Sequence, residues 1–149
     1  MPAFTRMGPL VDDLVTNVSF EKPFAFFGHS LGALVAYEVS RSLRAAGKAG
    51  PTHLFASACA APQLQESGPE VHRLPDDELA AWIEGEYGSL GPELMSSPEL
   101  LRTSLPAHRA DFELVETYHH QSGSPLEIPI TVIGGMSAFE MTSDFEQIK

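Results

Sequence analysis

Apolar residues recur along the first third of the chain in two different patterns. Between Pro9 and Phe20 they are spaced by one, three and four positions, which predicts a short helix. The wholly apolar run Phe24–Phe27 follows and predicts a strand that is buried on both faces. Leu31–Ala46 then shows a helical pattern, and Gly47 is a suitable C-terminal stop. The order of these elements indicates an α/β protein.

A second strand follows the helix that ends before Gly47. His53–Cys59 is another largely apolar run, and Pro51 precedes it. Strand, helix and strand in this order predict two parallel strands joined by a right-handed crossover. A third strand is predicted at Ile128–Ile133, where Gly134 and its glycine neighbour end it. The sequence therefore predicts a parallel sheet in which about three strands are visible.

The block from Pro75 to Tyr118 contains no strand signal. Three acidic residues at its start lie where a helix dipole is positive, which favours a helix that opens there. The block is therefore predicted to be a helical insertion between strands of the sheet. Its predicted helices are Asp76–Tyr87, Gly91–Met95 and Pro98–Tyr118, the last either continuous or interrupted at Pro106.

Composition narrows the classes of function. The chain has 149 residues, of which 43% are hydrophobic, and this is enough for one domain with a packed core. A formal net charge of -11 argues against nucleic-acid binding. No apolar run is long enough to span a bilayer, and no signal peptide is recognised. The lone Cys59 fits a reducing compartment, so we expect a cytoplasmic protein. We also expect no membrane partner, no metal site and no cofactor.

Three cations near the end of the second predicted helix have two interpretations. They are Arg41, Arg44 and Lys48. They either complement the helix dipole or form a small docking patch for an acidic partner.

The segment Gly28–Gly32 reads Gly-His-Ser-Leu-Gly, a G-x-S-x-G motif with an apolar strand before it and an amphipathic helix after it. That context is typical of a nucleophile elbow, in which a sharp turn exposes the serine hydroxyl. Ser30 is therefore the candidate nucleophile, and the backbone N–H of Leu31 is a candidate oxyanion donor. We expect His29 to pack beside the elbow rather than to act as base, because its side chain leaves the turn in another direction. The alternative is a glycine-rich turn with an incidental serine.

The elbow segment Pro23–Ala33 resembles that of the type II thioesterases. These are stand-alone acyl-thioester hydrolases that serve fatty-acid, polyketide and nonribosomal-peptide synthases. The resemblance covers roughly residues 8 to 135. Further segments that carry it are His53–Ser57, Ala61–Pro62, Leu74–Leu79, Arg109–Phe112, Glu116–Tyr118 and Pro129–Gly135.

This resemblance implies a partial α/β-hydrolase fold in which a parallel sheet carries a helical lid insertion. It implies one partial thioesterase domain over residues 1–149, with its core at 1–74 and 125–149 and the lid at about 75–120. An acyl or peptidyl carrier protein would deliver the substrate on its phosphopantetheine arm. Arg109 and Asp111 would either form a structural pair that holds the lid helix or contact the incoming arm.

The chain departs from the family pattern in the rest of the catalytic machinery. Family members begin with early strands and a loop that supplies a second oxyanion donor, whereas only about 20 residues precede this elbow strand. The family's aspartate position falls near Ala138, or near Ser57 in related domains, and Glu140 or Asp144 would serve only with a shifted loop. The family's histidine lies beyond Lys149. The catalytic acid and histidine are therefore not identifiable among the residues present, whose later histidines are His53, His72, His108, His119 and His120.

These departures lead to three expectations. The chain is a fragment or a truncated, divergent product of a type II thioesterase gene, and it is nearly inactive by itself. Open strand edges make it marginally stable, prone to aggregate, or dimeric through the open edge. His119 and His120 form a solvated helix end. A non-catalytic carrier-binding module is the alternative function, and the lid sequence argues against a lipase or esterase.

Overall fold

A computed structural model describes residues 3–20, 23–65, 68–88 and 90–134. These residues form two compact units. The sheet unit comprises the described residues within 7–65 and 119–134, and the helical unit comprises those within 3–6 and 68–118.

The sheet unit is built on three parallel strands. They are β1 (Phe26–His29), β2 (Leu54–Ser57) and β3 (Ile130–Ile133), in the order β1-β2-β3. The register places Phe26 opposite Leu54 and Leu54 opposite Ile130. The predicted parallel arrangement is therefore confirmed.

Each strand is shorter than its apolar run or displaced along it. β1 begins two residues later than predicted, and the side chain of Phe24 packs against Phe20 at a ring-centroid distance of 4.8 Å. β2 ends at Ser57, where Ala58 turns the backbone to a positive φ of 48°. Strand length is thus set by the hydrogen-bonded register, whereas apolarity also reflects packing outside the strand.

Two helices pack with this sheet. Helix α2 (Leu31–Ala45) contacts β1 and β2, and helix α1 (Met7–Asn17) contacts α2. Leu34 of α2 and Leu54 of β2 are 1% and 2% exposed, so the side of the sheet that α2 covers is well buried. The expectation that the first strand is buried on both faces is wrong, since Phe27 is 68% exposed. Successive side chains of a strand point to opposite faces, and within the described residues only one face is covered at Phe27.

The helical unit contains α3 (Asp76–Tyr87), α4 (Gly91–Met95) and α5 (Pro98–Glu116). All three predicted helices are confirmed, and α5 runs through Pro106 without interruption although proline removes one ladder hydrogen bond. Short 3₁₀ turns lie at Val71–Arg73 in this unit and at Pro62–Leu64 in the sheet unit. The buried cluster of the helical unit consists of Val71, Leu79, Ala80, Ile83, Leu90 and Leu105.

Polar contacts fasten the turn at Val71–Arg73 to helix α5. The carboxylate of Glu116 accepts hydrogen bonds from the backbone N–H of Val71 at 3.0 Å and from His72. Arg109 donates to the carbonyls of His72 and Leu74 and to Asp76 at 2.6 Å. Arg109 therefore has the predicted structural role, but its carboxylate partner is Asp76 and not Asp111.

The segment that returns to the sheet after residue 118 is held by two of the predicted surface cations. Arg41 donates to the carbonyl of Gln121 at 2.5 Å, and Arg44 donates to that of Pro125 at 2.7 Å. These two hydrogen bonds give Arg41 and Arg44 a structural role that requires neither an interaction with the helix dipole nor an acidic partner. His120, expected to be solvated, is half-buried with its ring 6.1 Å from that of Tyr37, whereas His119 is exposed as expected.

Candidate active site

Ser30 occupies the sharp turn between β1 and α2. Its backbone has φ 51° and ψ -123°, a combination that L-residues rarely adopt. Such a conformation costs on the order of 1–3 kcal/mol and persists only where the surrounding structure enforces it. The N–H of Ser30 donates to the carbonyl of Ser57 at 2.8 Å, and its carbonyl accepts from Ala33 at 2.9 Å. The Ser30 side chain is exposed, as a nucleophile must be.

Close contact between strand and helix explains the first glycine of the motif. A Cβ atom on Gly28 would lie 2.4 Å from the backbone Cα and N of Ala33 and 2.4 Å from the carbonyl oxygen of Gly32. The position therefore admits glycine alone without a backbone shift. A Cβ atom on Gly32 would have no described neighbour within 4 Å, so close contact does not explain the second glycine.

Leu31 is the first residue of α2, so its backbone N–H lies at the N-terminus of that helix. The first N–H groups of a helix have no intrahelical acceptor and carry the positive end of the dipole. They are suited to hold a developing negative charge beside Ser30. The role of the Leu31 N–H as an oxyanion donor remains a prediction.

His29 contacts a different serine. Its Nδ1 atom lies 3.1 Å from the Oγ atom of Ser57, directly opposite it in the ladder between β1 and β2. His29 is exposed and Ser57 is half-buried. The imidazole thus contacts the neighbouring strand beside the elbow and is paired with Ser57, and its predicted exclusion as the base for Ser30 stays a prediction. The contact with Ser57 was not evident from the sequence, because 28 residues separate the two.

An apolar cavity of about 170 Å³ lies in the sheet unit beside α2. Burial raises the pKa of the Cys59 thiol above its usual range, although a hydrogen bond from Gln65 opposes this effect. The cavity can hold a small apolar group, since an apolar cavity of roughly 150 Å³ binds benzene. Residues in its wall include Ala33, Leu34, Tyr37, Ala56, Cys59 and Val132.

Three further histidines of the described residues have partners of their own. His53 stacks on Phe55 and bonds the hydroxyl of Thr131 at 2.8 Å. His108 bonds the carbonyl of Ser104, and His72 bonds Glu116. The aspartate position near Ser57 holds that serine, paired with His29. The alternative positions at Ala138, Glu140 and Asp144 lie outside the described residues.

No group of three or more His, Cys, Asp or Glu residues in the described ranges is arranged to hold a metal ion. The described helices are also too short or too polar to cross a bilayer.

Comparison with known proteins identifies the family. The family model for the Thioesterase domain matches residues 7–147. The chain belongs to the thioesterase family. Within this family, the parallel sheet and its helices form part of an α/β-hydrolase fold, as the resemblance to type II thioesterases implies.

Three relatives of this thioesterase-family chain show the extent of the match. Linear gramicidin dehydrogenase LgrE of Brevibacillus parabrevis is 37% identical over 145 residues, which are 95% of this chain and 55% of that protein. Thioesterase PikA5 of Streptomyces venezuelae is 38% identical over 117 residues, 77% of this chain and 40% of that protein. The type II thioesterase BorB from the borrelidin biosynthetic cluster superposes with a TM-score of 0.75 at 33% identity, over 90% of this chain and 55% of BorB. The chain thus spans about half the length of the relatives it matches.

Proposed function

We propose that this chain is the elbow-bearing part of a hydrolase that releases acyl groups from thioesters, with Ser30 as the nucleophile. The observation that carries the proposal is the enforced positive φ of Ser30 in a chain of the thioesterase family. A strained serine at a strand-to-helix turn has little structural value, but it presents its hydroxyl for attack. The exposed Ser30 side chain is available to a substrate.

In the proposed reaction, the Ser30 oxygen attacks the thioester carbonyl carbon, the carbon–sulfur bond breaks, and the sulfur leaves as a thiol. Water then hydrolyses the resulting acyl ester on Ser30 and releases the acid. The N–H of Leu31 stabilises the oxyanion. The base that accepts the serine proton is not among the identified residues, and neither is the acid that orients it. In serine proteases, loss of these groups costs on the order of a million-fold in rate. The 149-residue chain by itself should therefore turn over very slowly.

We propose an acyl or peptidyl carrier protein as the partner that delivers the substrate. Its phosphopantetheine arm is then part of the substrate, and the chain needs no cofactor. The names of relatives support this proposal: PikA5 is called a thioesterase, BorB is assigned to a borrelidin biosynthetic cluster, and a medium-chain fatty acid synthase thioesterase of Homo sapiens is 32% identical over 124 residues. The apolar cavity supports an acyl substrate, and the helical unit would serve as the lid.

The name of LgrE suggests a dehydrogenase, but the sequence offers no support for that activity. Binding of a nicotinamide dinucleotide usually relies on a Gly-x-Gly-x-x-Gly turn after a strand. No two glycines of this sequence are separated by a single residue. The turn after β1 instead carries Ser30. A hydrolase is therefore favoured.

A fluorophosphonate probe tests the proposal, because it reacts with activated serines. We expect labelling of the tryptic peptide 7–41, abolished by Ser30→Ala and unchanged by Ser42→Ala, which alters another serine on α2. Hydrolysis of a hexanoyl-pantetheine thioester should proceed at a low rate, slower in Ser30→Ala and unchanged in Ser42→Ala. Absence of label at Ser30 in the folded chain would contradict the proposal.

The alternative is a non-catalytic module that binds carrier proteins, and the alanine at position 138, near which the family's aspartate falls, favours it. It predicts carrier binding that Ser30→Ala leaves intact, together with no fluorophosphonate labelling of Ser30.

Dimerisation through the strand edges is part of our proposal for partners, since β1 and β3 each pair on one side only within the described residues. The cytoplasm remains the compartment we propose.

A further inference from the structure

Besides the candidate nucleophile Ser30, the chain has a second serine, Ser57, that lies within hydrogen-bond distance of a histidine, His29. The Oγ atom of Ser57 is 3.1 Å from Nδ1 of His29. Distances of about 2.6–3.2 Å between a hydroxyl and an imidazole nitrogen are typical of a serine with its general base. The two residues are direct neighbours in the register of β1 and β2, so the backbone ladder fixes their relative position.

Their place in the fold is also suited to chemistry. His29 and Ser57 are the last residues of two adjacent parallel strands. Ligands of α/β sheets bind outside the carboxyl ends of the strands. Both residues retain access to solvent, and the carbonyl of Ser57 accepts the N–H of Ser30, which places the pair next to the elbow.

We propose that Ser57 is a second nucleophile of this chain, with His29 as its general base. The proposal takes the class of substrate, an acyl thioester, from the proposed function but does not depend on the reactivity of Ser30. It requires the tautomer in which Nδ1 of His29 carries no proton and accepts the Ser57 hydroxyl.

The proposed step balances as follows. The Ser57 oxygen forms a bond to the thioester carbonyl carbon while its proton passes to Nδ1 of His29. The carbon–sulfur bond then breaks, and the thiolate takes the proton from the imidazole and leaves as a thiol. The product is an ester on Ser57, and water releases the acid from it. With a fluorophosphonate, the same oxygen forms a bond to phosphorus, fluoride leaves, and the proton stays with His29 or solvent.

Mapping of the label separates the two serines, because trypsin places them in different peptides. Ser30 lies in peptide 7–41, and Ser57 lies in peptide 49–73 between Lys48 and Leu74. In the Ser30→Ala chain we expect fluorophosphonate on peptide 49–73, assigned to Ser57 by fragmentation. Thr52 in the same peptide is an internal control, since its hydroxyl bonds a backbone carbonyl and not an imidazole.

The variant His29→Asn distinguishes a base from a structural tie. Asparagine can still hydrogen-bond the Ser57 hydroxyl, but it cannot take its proton. We expect the rate of labelling at Ser57 to fall about 100-fold or more in His29→Asn, the usual effect of a general base. Unfolding of the Ser30→Ala chain in urea should also abolish the enhanced rate at Ser57.

Two results would overturn the proposal: no label on Ser57 in folded Ser30→Ala, or an equal rate at Ser57 with His29→Asn in a folded chain. Failure of the proposed function has a different signature. It leaves Ser30 unlabelled in the unmodified chain, whatever is found at Ser57.

Discussion

The two glycines of the Gly-His-Ser-Leu-Gly motif should respond in opposite ways to the same substitution. Gly28→Ala adds a Cβ atom 2.4 Å from three backbone atoms of Gly32 and Ala33, whereas ordinary contacts begin at 3.4 Å. Strand and helix must therefore separate by about 1 Å at this point. Because the contacted atoms are backbone, no side-chain rotation can relieve the clash. Gly32→Ala meets nothing within 4 Å and lies in the first turn of α2.

The magnitudes follow from these contacts. Overpacking of a close contact costs about 1–3 kcal/mol, and a clash with backbone belongs at the upper end. Replacement of a helical glycine by alanine contributes up to about 1 kcal/mol in the stabilising direction. We therefore expect the two variants to differ by about 3–4 kcal/mol in free energy of unfolding. With a urea dependence of about 1.5–2 kcal/mol per M, their midpoints should lie roughly 2 M apart.

Urea unfolding followed by far-ultraviolet circular dichroism measures this difference. Fluorophosphonate labelling provides a second readout, since movement of Ala33 away from the strand should misplace the turn at Ser30. We expect slower labelling in Gly28→Ala and an unchanged rate in Gly32→Ala. Equal urea midpoints for the two variants, or a loss of stability in Gly32→Ala as large as in Gly28→Ala, would refute the explanation that close approach selects the first glycine.

Three further outcomes follow from contacts described above. Arg109→Ala removes the hydrogen bonds to two backbone carbonyls and to Asp76, so it should destabilise the helical unit by about 1.5–3 kcal/mol. The fluorescence of Trp82 during urea unfolding measures this loss, with Arg102→Ala on the same helix as the control. Equal losses of stability in the two variants would contradict the reasoning. Because burial raises the pKa of the Cys59 thiol, its alkylation by iodoacetamide should reach half its maximal rate at a higher pH in the folded chain than in urea, and coincident pH profiles would exclude this. Ser30→Gly should be more stable than Ser30→Ala by about 1 kcal/mol, since glycine adopts the positive φ without strain and alanine does not; a more stable alanine variant would refute the strain assigned to the turn.

Much of the fold could be predicted from the sequence where local signals agree. The apolar periodicity that continues after Leu31 and the acidic opening at Asp76 each predicted a helix, and both helices are present. Strand limits were less accurate because they depend on partners distant in the chain. Phe24 is as apolar as Phe26, yet only Phe26 pairs with Leu54.

The candidate site shows the same division. The sharp turn at Ser30 follows from a local motif. The contact of His29 with Ser57 depends on register between two strands, and the contact of Arg109 with Asp76 joins two helices. A single sequence gives no signal for either pairing, so the structural interpretation of Arg109 pairs it with Asp111 and not with Asp76.

The strain at Ser30 has a meaning for the history of the chain. Under mutation with no demand on the hydroxyl, stability would favour glycine at this turn, since glycine reaches a positive φ of 51° without a Cβ clash. A serine that is retained at this position therefore runs against the preference for glycine that stability alone would impose. We therefore expect genes that have lost the acyl-transfer chemistry to exchange this residue early, so that the identity of residue 30 would date the loss of activity among close descendants.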